Sequence, residues 1–113
     1  MKIDKYDFGE IIVDGRTYHN DVIIYNDKVD SSWQRAEGHD LAVSDLFDVL
    51  QKKPQILVIG TGASGVMRVS DDVKKEIEAM GIKMIVAKTQ EACDKYNELA
   101  PSKNVIAAFH LTC

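Results

Sequence analysis

The sequence predicts an α/β domain, and three observations carry that reading. The first forty or so residues read as short antiparallel strands closed by turns. Residues 56–109 alternate apolar strand and amphipathic helix. The chain has 113 residues, enough for one domain and too few for two, so residues 1–113 are read as a single unit. Area scaling expects a folded surface of roughly 6,200 Å² against about 18,000 Å² extended, so a core can form without metal or disulfide staples.

The amino-terminal elements follow from alternation and turn chemistry. Ile3-Asp4-Lys5-Tyr6-Asp7-Phe8 has the period of a half-buried strand, and Glu10-Ile11-Ile12-Val13 follows it. Asp14-Gly15 is a type I′ hairpin signal returning through Arg16-Thr17-Tyr18, since both central residues must reach positive φ. Asp21-Val22-Ile23-Ile24-Tyr25 is a further strand closed by Asn26-Asp27, and Val29 to Trp33 suggests one more.

The second half changes period. Val43, Leu46, Phe47 and Leu50 form one helical face that Pro54 terminates. Ile56-Leu57-Val58-Ile59 is continuously apolar, as a strand covered on both faces requires. Ser70 reads as an N-cap with Asp71 and Asp72 in the positive first turn. Val73, Ile77 and Met80 form that helix's inner stripe, and Gly81 ends it. Ile82 to Val86 is the next strand. Thr89 is read as the cap of a helix whose inner face is Ala92, Tyr96, Leu99 and Ala100 and which Pro101 ends. Val105 to Phe109 closes the chain. This strand–helix order implies parallel pairing with crossover helices, which brings the ends of 56–59 and 105–109 to one rim.

Composition narrows the function. The 14 basic and 18 acidic residues give a net charge of −4. The acids concentrate in the first half, and no basic cluster interleaved with aromatics exists, which disfavours nucleic acid. No apolar run approaches the ~20 residues that span a bilayer. Met1-Lys2-Ile3-Asp4 leads straight into a strand, so no signal peptide is expected. Two cysteines, Cys93 and Cys113, make neither a disulfide framework nor, with scattered histidines, a metal set. A cytoplasmic setting is expected, with no cofactor.

The loudest motif is Gly60-Thr61-Gly62-Ala63-Ser64-Gly65, G-x-G-x-x-G directly after a buried strand. A dinucleotide site needs the helix to open within those glycines. Here the cap lies at Ser70, Val66 to Val69 reads as extended, and Ala87-Lys88 stands where a ribose-binding acid belongs. The favoured reading is a turn out of a crowded strand end. The functional alternative is a small-anion or nucleotide site, conceivably enzymatic, in which backbone N–H groups of Gly60, Gly62 and Gly65, the hydroxyls of Thr61 and Ser64, and Arg68 hold the ligand. His110, at a strand end on the same rim, joins that candidate set, although a buried, hydrogen-bonded histidine is the plainer expectation. Ser64 is not a nucleophile elbow. Trp33 is read as a packing residue, Cys93 as a small core residue, and Cys113 as a thiol that nothing marks as activated, redox sensing being the least favoured function.

The segments Ile56–Gly62, Gly81-Ile82, Thr89-x-x-Ala92-x-x-x-Tyr96-Asn97-x-Leu99, and upstream Ser32-Trp33 with Gly38-His39, resemble the Mth938-like domain family over nearly the whole chain. That family includes an adipogenesis-associated protein and a mitochondrial complex I assembly factor. The resemblance implies a three-layer α/β domain with a central mixed β-sheet flanked by helices plus an N-terminal antiparallel β-ribbon. It supplies no catalytic residues to carry over and implies a binding role. The first expectation is therefore a non-enzymatic binding or assembly-type protein with a protein partner or a homodimer. Apolar strand residues such as Ile11, Ile23 and Tyr25 are the candidate patch.

Overall fold

A computed structural model describes all 113 residues. The elements in chain order are β1 (Ile3–Asp7), β2 (Glu10–Val13), β3 (Arg16–Tyr18), β4 (Val22–Ile24), β5 (Val29–Asp30), a 3₁₀ turn (Val43–Leu46), α1 (Phe47–Gln51), β6 (Ile56–Thr61), α2 (Asp71–Glu78), β7 (Lys83–Ala87), α3 (Thr89–Leu99) and β8 (Val105–His110). Strands β1–β3 form an antiparallel ribbon. The second sheet has the order β5-β4-β8-β6-β7. Within it β6 pairs in parallel with both β7 and β8, while β4 runs antiparallel to β8. The expected mixed sheet with an added ribbon is what the chain builds, and it exposes 6103 Å².

The two-sided burial of the apolar strands makes the three layers. Along β6, Ile56 and Val58 face one core, shared with Ala92 and Tyr96 of α3 and with Ile3, Ile11 and Val13 of the ribbon. Leu57 and Ile59 face the other, shared with Leu46, Val49, Ile77 and Trp33. A continuous apolar run on a strand is thus divided, residue by residue, between two cores. The Asp14-Gly15 turn has φ of 49° and 79°, the type I′ geometry that its residues favour. Ser70 caps α2, its Oγ accepting the Val73 N–H at 3.2 Å.

Strands β4 and β5 belong to the main sheet, where β4 pairs antiparallel with β8. Several expectations are corrected. Ile11, Ile23 and Tyr25 are buried at 0%, 4% and 5% exposure and offer no partner patch. Phe47 is 64% exposed. The 3₁₀ turn before it advances three residues per turn rather than 3.6, which rotates Phe47 off the stripe and puts Leu46 and Val49 inward. Met80 lies beyond the last helical residue of α2 and is 52% exposed. Thr89 does not cap α3; its hydroxyl is used elsewhere.

No helix is long and apolar enough to cross a membrane.

Candidate functional site

Strands β6 and β8 end side by side, with Thr61 opposite His110, so the expected common rim exists. What gathers there differs from the expected set. The glycine loop turns back onto the last residues of the chain. Ala63 N–H donates to Thr112 O at 2.7 Å and Val66 N–H to Cys113 O at 3.0 Å. Gly65 N–H reaches Gly62 O at 3.3 Å. The buried Thr89 hydroxyl bridges the two strand ends, accepting from Gly62 N–H at 2.8 Å and donating to His110 O at 2.6 Å. The loop's donors therefore hold the rim together. Gly62 is required there: its φ is 107°, and a Cβ would sit 2.3 Å from the Cys113 carbonyl carbon.

Thr61 Oγ1 donates to Ala87 O at 3.1 Å, tying β6 to the end of β7. Arg68 lines a cleft of about 610 Å³ together with Gly65, Leu41 and Met67. It is largely exposed, and its Nε donates to Asp40 at 3.0 Å, which raises its pKa further. Of the expected set, Gly60, Thr61, Gly62 and His110 meet at the rim. Ser64 and Gly65 lie on the loop beyond it, and Arg68 points at Asp40.

The chemistry collects instead around His110. Its Nδ1 lies 2.8 Å from Asp21 Oδ2, and Arg35 Nη2 donates to the same oxygen at 2.9 Å. Leu111 N–H donates to Asp21 Oδ1 at 2.8 Å. Burial opposes ionisation of Asp21, but the hydrogen bonds from His110, the Leu111 amide and Arg35 outweigh it, holding the carboxyl below its ordinary range. A carboxylate 2.8 Å from Nδ1 fixes the proton there, so neutral His110 presents a lone pair on Nε2.

Arg35 also organises its own loop. Its guanidinium lies 4.6 Å from the Trp33 ring, and Nε and Nη2 donate to Gly38 O at 3.1 and 3.0 Å. The Trp33 indole N–H donates to Asp45 O at 3.0 Å. His39 lies edge-on to His110 with ring centroids 5.9 Å apart. Trp33 is thus a packing residue as expected, and it packs the arginine of the centre. Two atoms of this centre, Arg35 Nη1 and His110 Nε2, are buried with no hydrogen-bond partner. No group of three or more His, Cys, Asp or Glu side chains is placed to hold a metal ion. Burial pushes the Cys93 thiol up to about 12, consistent with an inert core residue.

Asp21, Arg35, His39 and Thr89 had no site role in the sequence reading. Asp21 and His110 are 89 positions apart, and no local pattern links them. The one available signal was Trp33 with Gly38-His39, a loop rich in side chains able to stack and to hydrogen-bond.

A two-core mixed sheet and a β-ribbon packed with α3 define a class, the three-layer α/β domain of Mth938-like fold. A hypothetical protein from Pyrococcus horikoshii has this fold at a TM-score of 0.83 and 27% identity, with each chain covered in full. The protein labelled MT938 matches at a TM-score of 0.80 and 26% identity, covering 99% of this chain and 98% of that one. A Bordetella pertussis protein described as a Mth938-like domain shares the fold at a TM-score of 0.71 and 20% identity, over 97% of this chain and 85% of its own. The chain belongs to the family described as a protein of unknown function, DUF498/DUF598, which matches residues 3–110. It is also 33% identical over 78 residues to NADH dehydrogenase [ubiquinone] 1 alpha subcomplex assembly factor 3 of Danio rerio. That alignment covers 67% of this chain but only 44% of the relative.

Proposed function

We propose that this chain is a non-enzymatic binding or assembly-type domain, and that it engages a protein partner through the free edge of its five-stranded sheet. The observation that carries the reading is β7, which pairs only with β6. Lys83 N–H donates inward to Gln55 O, so in the alternating parallel ladder the main-chain groups of Met84 and Val86 point outward. Val86 is 38% exposed beside them. An edge of this kind accepts an added strand. Likeness to a protein named as an assembly factor supports a role in holding other chains, and a cytoplasmic location is part of the same reading.

The test is Val86→Pro, which removes an outward N–H without breaking a ladder bond. A partner is isolated from the native cell, and its complex with this chain is then remade from purified components. Folded V86P protein is expected to bind it at least ~10-fold more weakly. Unchanged affinity of that complex would remove the edge from the proposal. Loss of self-association in V86P would identify the partner as a second copy.

A further inference from the structure

We propose that the Asp21–Arg35–His110 centre binds a small oxyacid, of the carboxylic-acid or hydrogen-phosphate class. The inference is independent of the sheet edge. It starts from the two unpartnered atoms. The side chains of Arg35 and His110 are 5% and 8% exposed, and neither Arg35 Nη1 nor His110 Nε2 has a hydrogen-bond partner. Buried polar groups in native proteins are almost always satisfied, so a pair of orphans in one centre marks a place where a further molecule belongs.

The two side chains meet: Arg35 Nη2 and His110 Nδ1 stand 3.1 Å apart, so both orphans belong to one centre.

Their chemistry selects its class. Arg35 Nη1 is only ever a donor and requires an acceptor oxygen. With its Nδ1 proton held by Asp21, His110 offers Nε2 as an acceptor in the neutral ring and as a donor in the imidazolium. A group with one acceptor oxygen and one hydroxyl meets both, and it does so whether the shared proton rests on oxygen or on Nε2. Asp21 and Arg35 already neutralise each other at 2.9 Å, so a carboxylic acid that shares its proton with His110 adds no net charge to the interior, whereas a hydrogen phosphate keeps a negative charge beside Arg35. An ammonium or another purely cationic group would face Arg35 and is excluded.

A cleft of about 440 Å³ borders the centre through Asp21 and Trp33, with polar walls that include Asn20, Ser31, Ser32 and Gln34. The exposed His39 ring stands edge-on to His110 beside the centre.

The test follows the imidazole ¹⁵N signals of His110 while the intact chain is titrated with inorganic phosphate and, separately, with acetate, using sodium chloride as the ionic control. A saturable shift of Nε2 in the millimolar range or below, absent with chloride, is the expected result. Arg35→Lys keeps a cation against Asp21 but deletes Nη1, and is expected to weaken binding by roughly tenfold or more. Arg68→Ala is expected to leave binding unchanged. A response that never saturates, that is equal in R35K, or that disappears in R68A would overturn the proposal. So would ring signals that report exchange with water alone, since the orphans would then belong to buried solvent. The native titration reads His110 directly and stands even where R35K fails to fold.

Discussion

Two loops meet at the rim of the sheet, and they satisfy their polar groups in opposite ways. The glycine loop at 60–65 makes the louder pattern in the sequence, yet the N–H groups of Gly62, Ala63 and Gly65 end on Thr89, Thr112 and Gly62 within the fold. The loop from Trp33 to His39 spells no familiar motif, yet it delivers Arg35 to a buried centre where Nη1 and His110 Nε2 stay without partners. Chemical capacity follows unsatisfied donors and acceptors, not the density of glycine. Gly62, Ala63 and Gly65 spend their N–H groups within the fold, whereas the buried centre keeps two orphans and is the candidate site.

Four substitutions sharpen that contrast. Gly62→Ala carries the largest expected effect, because a Cβ at φ 107° would meet the Cys113 backbone at 2.3 Å. Thermal or urea unfolding is expected to show a loss of about 4 kcal/mol or failure to fold, at the upper end of single-residue effects; a loss under 1 kcal/mol would mean the loop is loose. Asp21→Asn comes next, at about 3 kcal/mol near neutral pH, since it leaves Arg35 and His110 without their shared carboxylate.

The Asp21 substitution also has a pH signature. The folded carboxyl ionises below its ordinary value of 3.8, so its contribution is fully present above that value and is lost as pH falls through the lower folded one. An acid titration of stability is therefore expected to be flatter in D21N over that window. Equal slopes would show that the centre contributes no charge-linked stability.

Thr89→Val deletes the hydroxyl bridging Gly62 N–H and His110 O at nearly constant volume. It is expected to cost about 2 kcal/mol, read by equilibrium unfolding, because both main-chain groups lose a buried partner. Arg68→Ala removes an exposed ion pair with Asp40 and is expected to shift the unfolding midpoint by almost nothing. A large loss there would return Arg68 to the machinery of the rim.

Much of the fold was legible because its signals are local. Asp14-Gly15, Ser70 and the apolar run at 56–59 each act through their own backbone geometry or period, and each sits where those rules place it. Phe47 and Thr89 were misread for a related reason. A helix with a 3₁₀ first turn and a helix with a buried first hydroxyl differ from regular helices only through what packs against them. The candidate site was half legible: His110 was placed on the correct rim as a buried, hydrogen-bonded histidine, but its partners were not named.

The sequence by itself determined the alternation of strands and helices and the shared rim at the ends of the parallel strands. Those depend on hydrophobic period and turn chemistry within a few residues. Only the tertiary structure decided that β4 joins β8, and with that pairing came the candidate site. Antiparallel register carries the segment just before β4 alongside the end of β8, so Asp21 arrives beside His110. Hydrogen bonds between residues so distant in the chain have no local signature, because it is the packing of the whole sheet that brings them within reach.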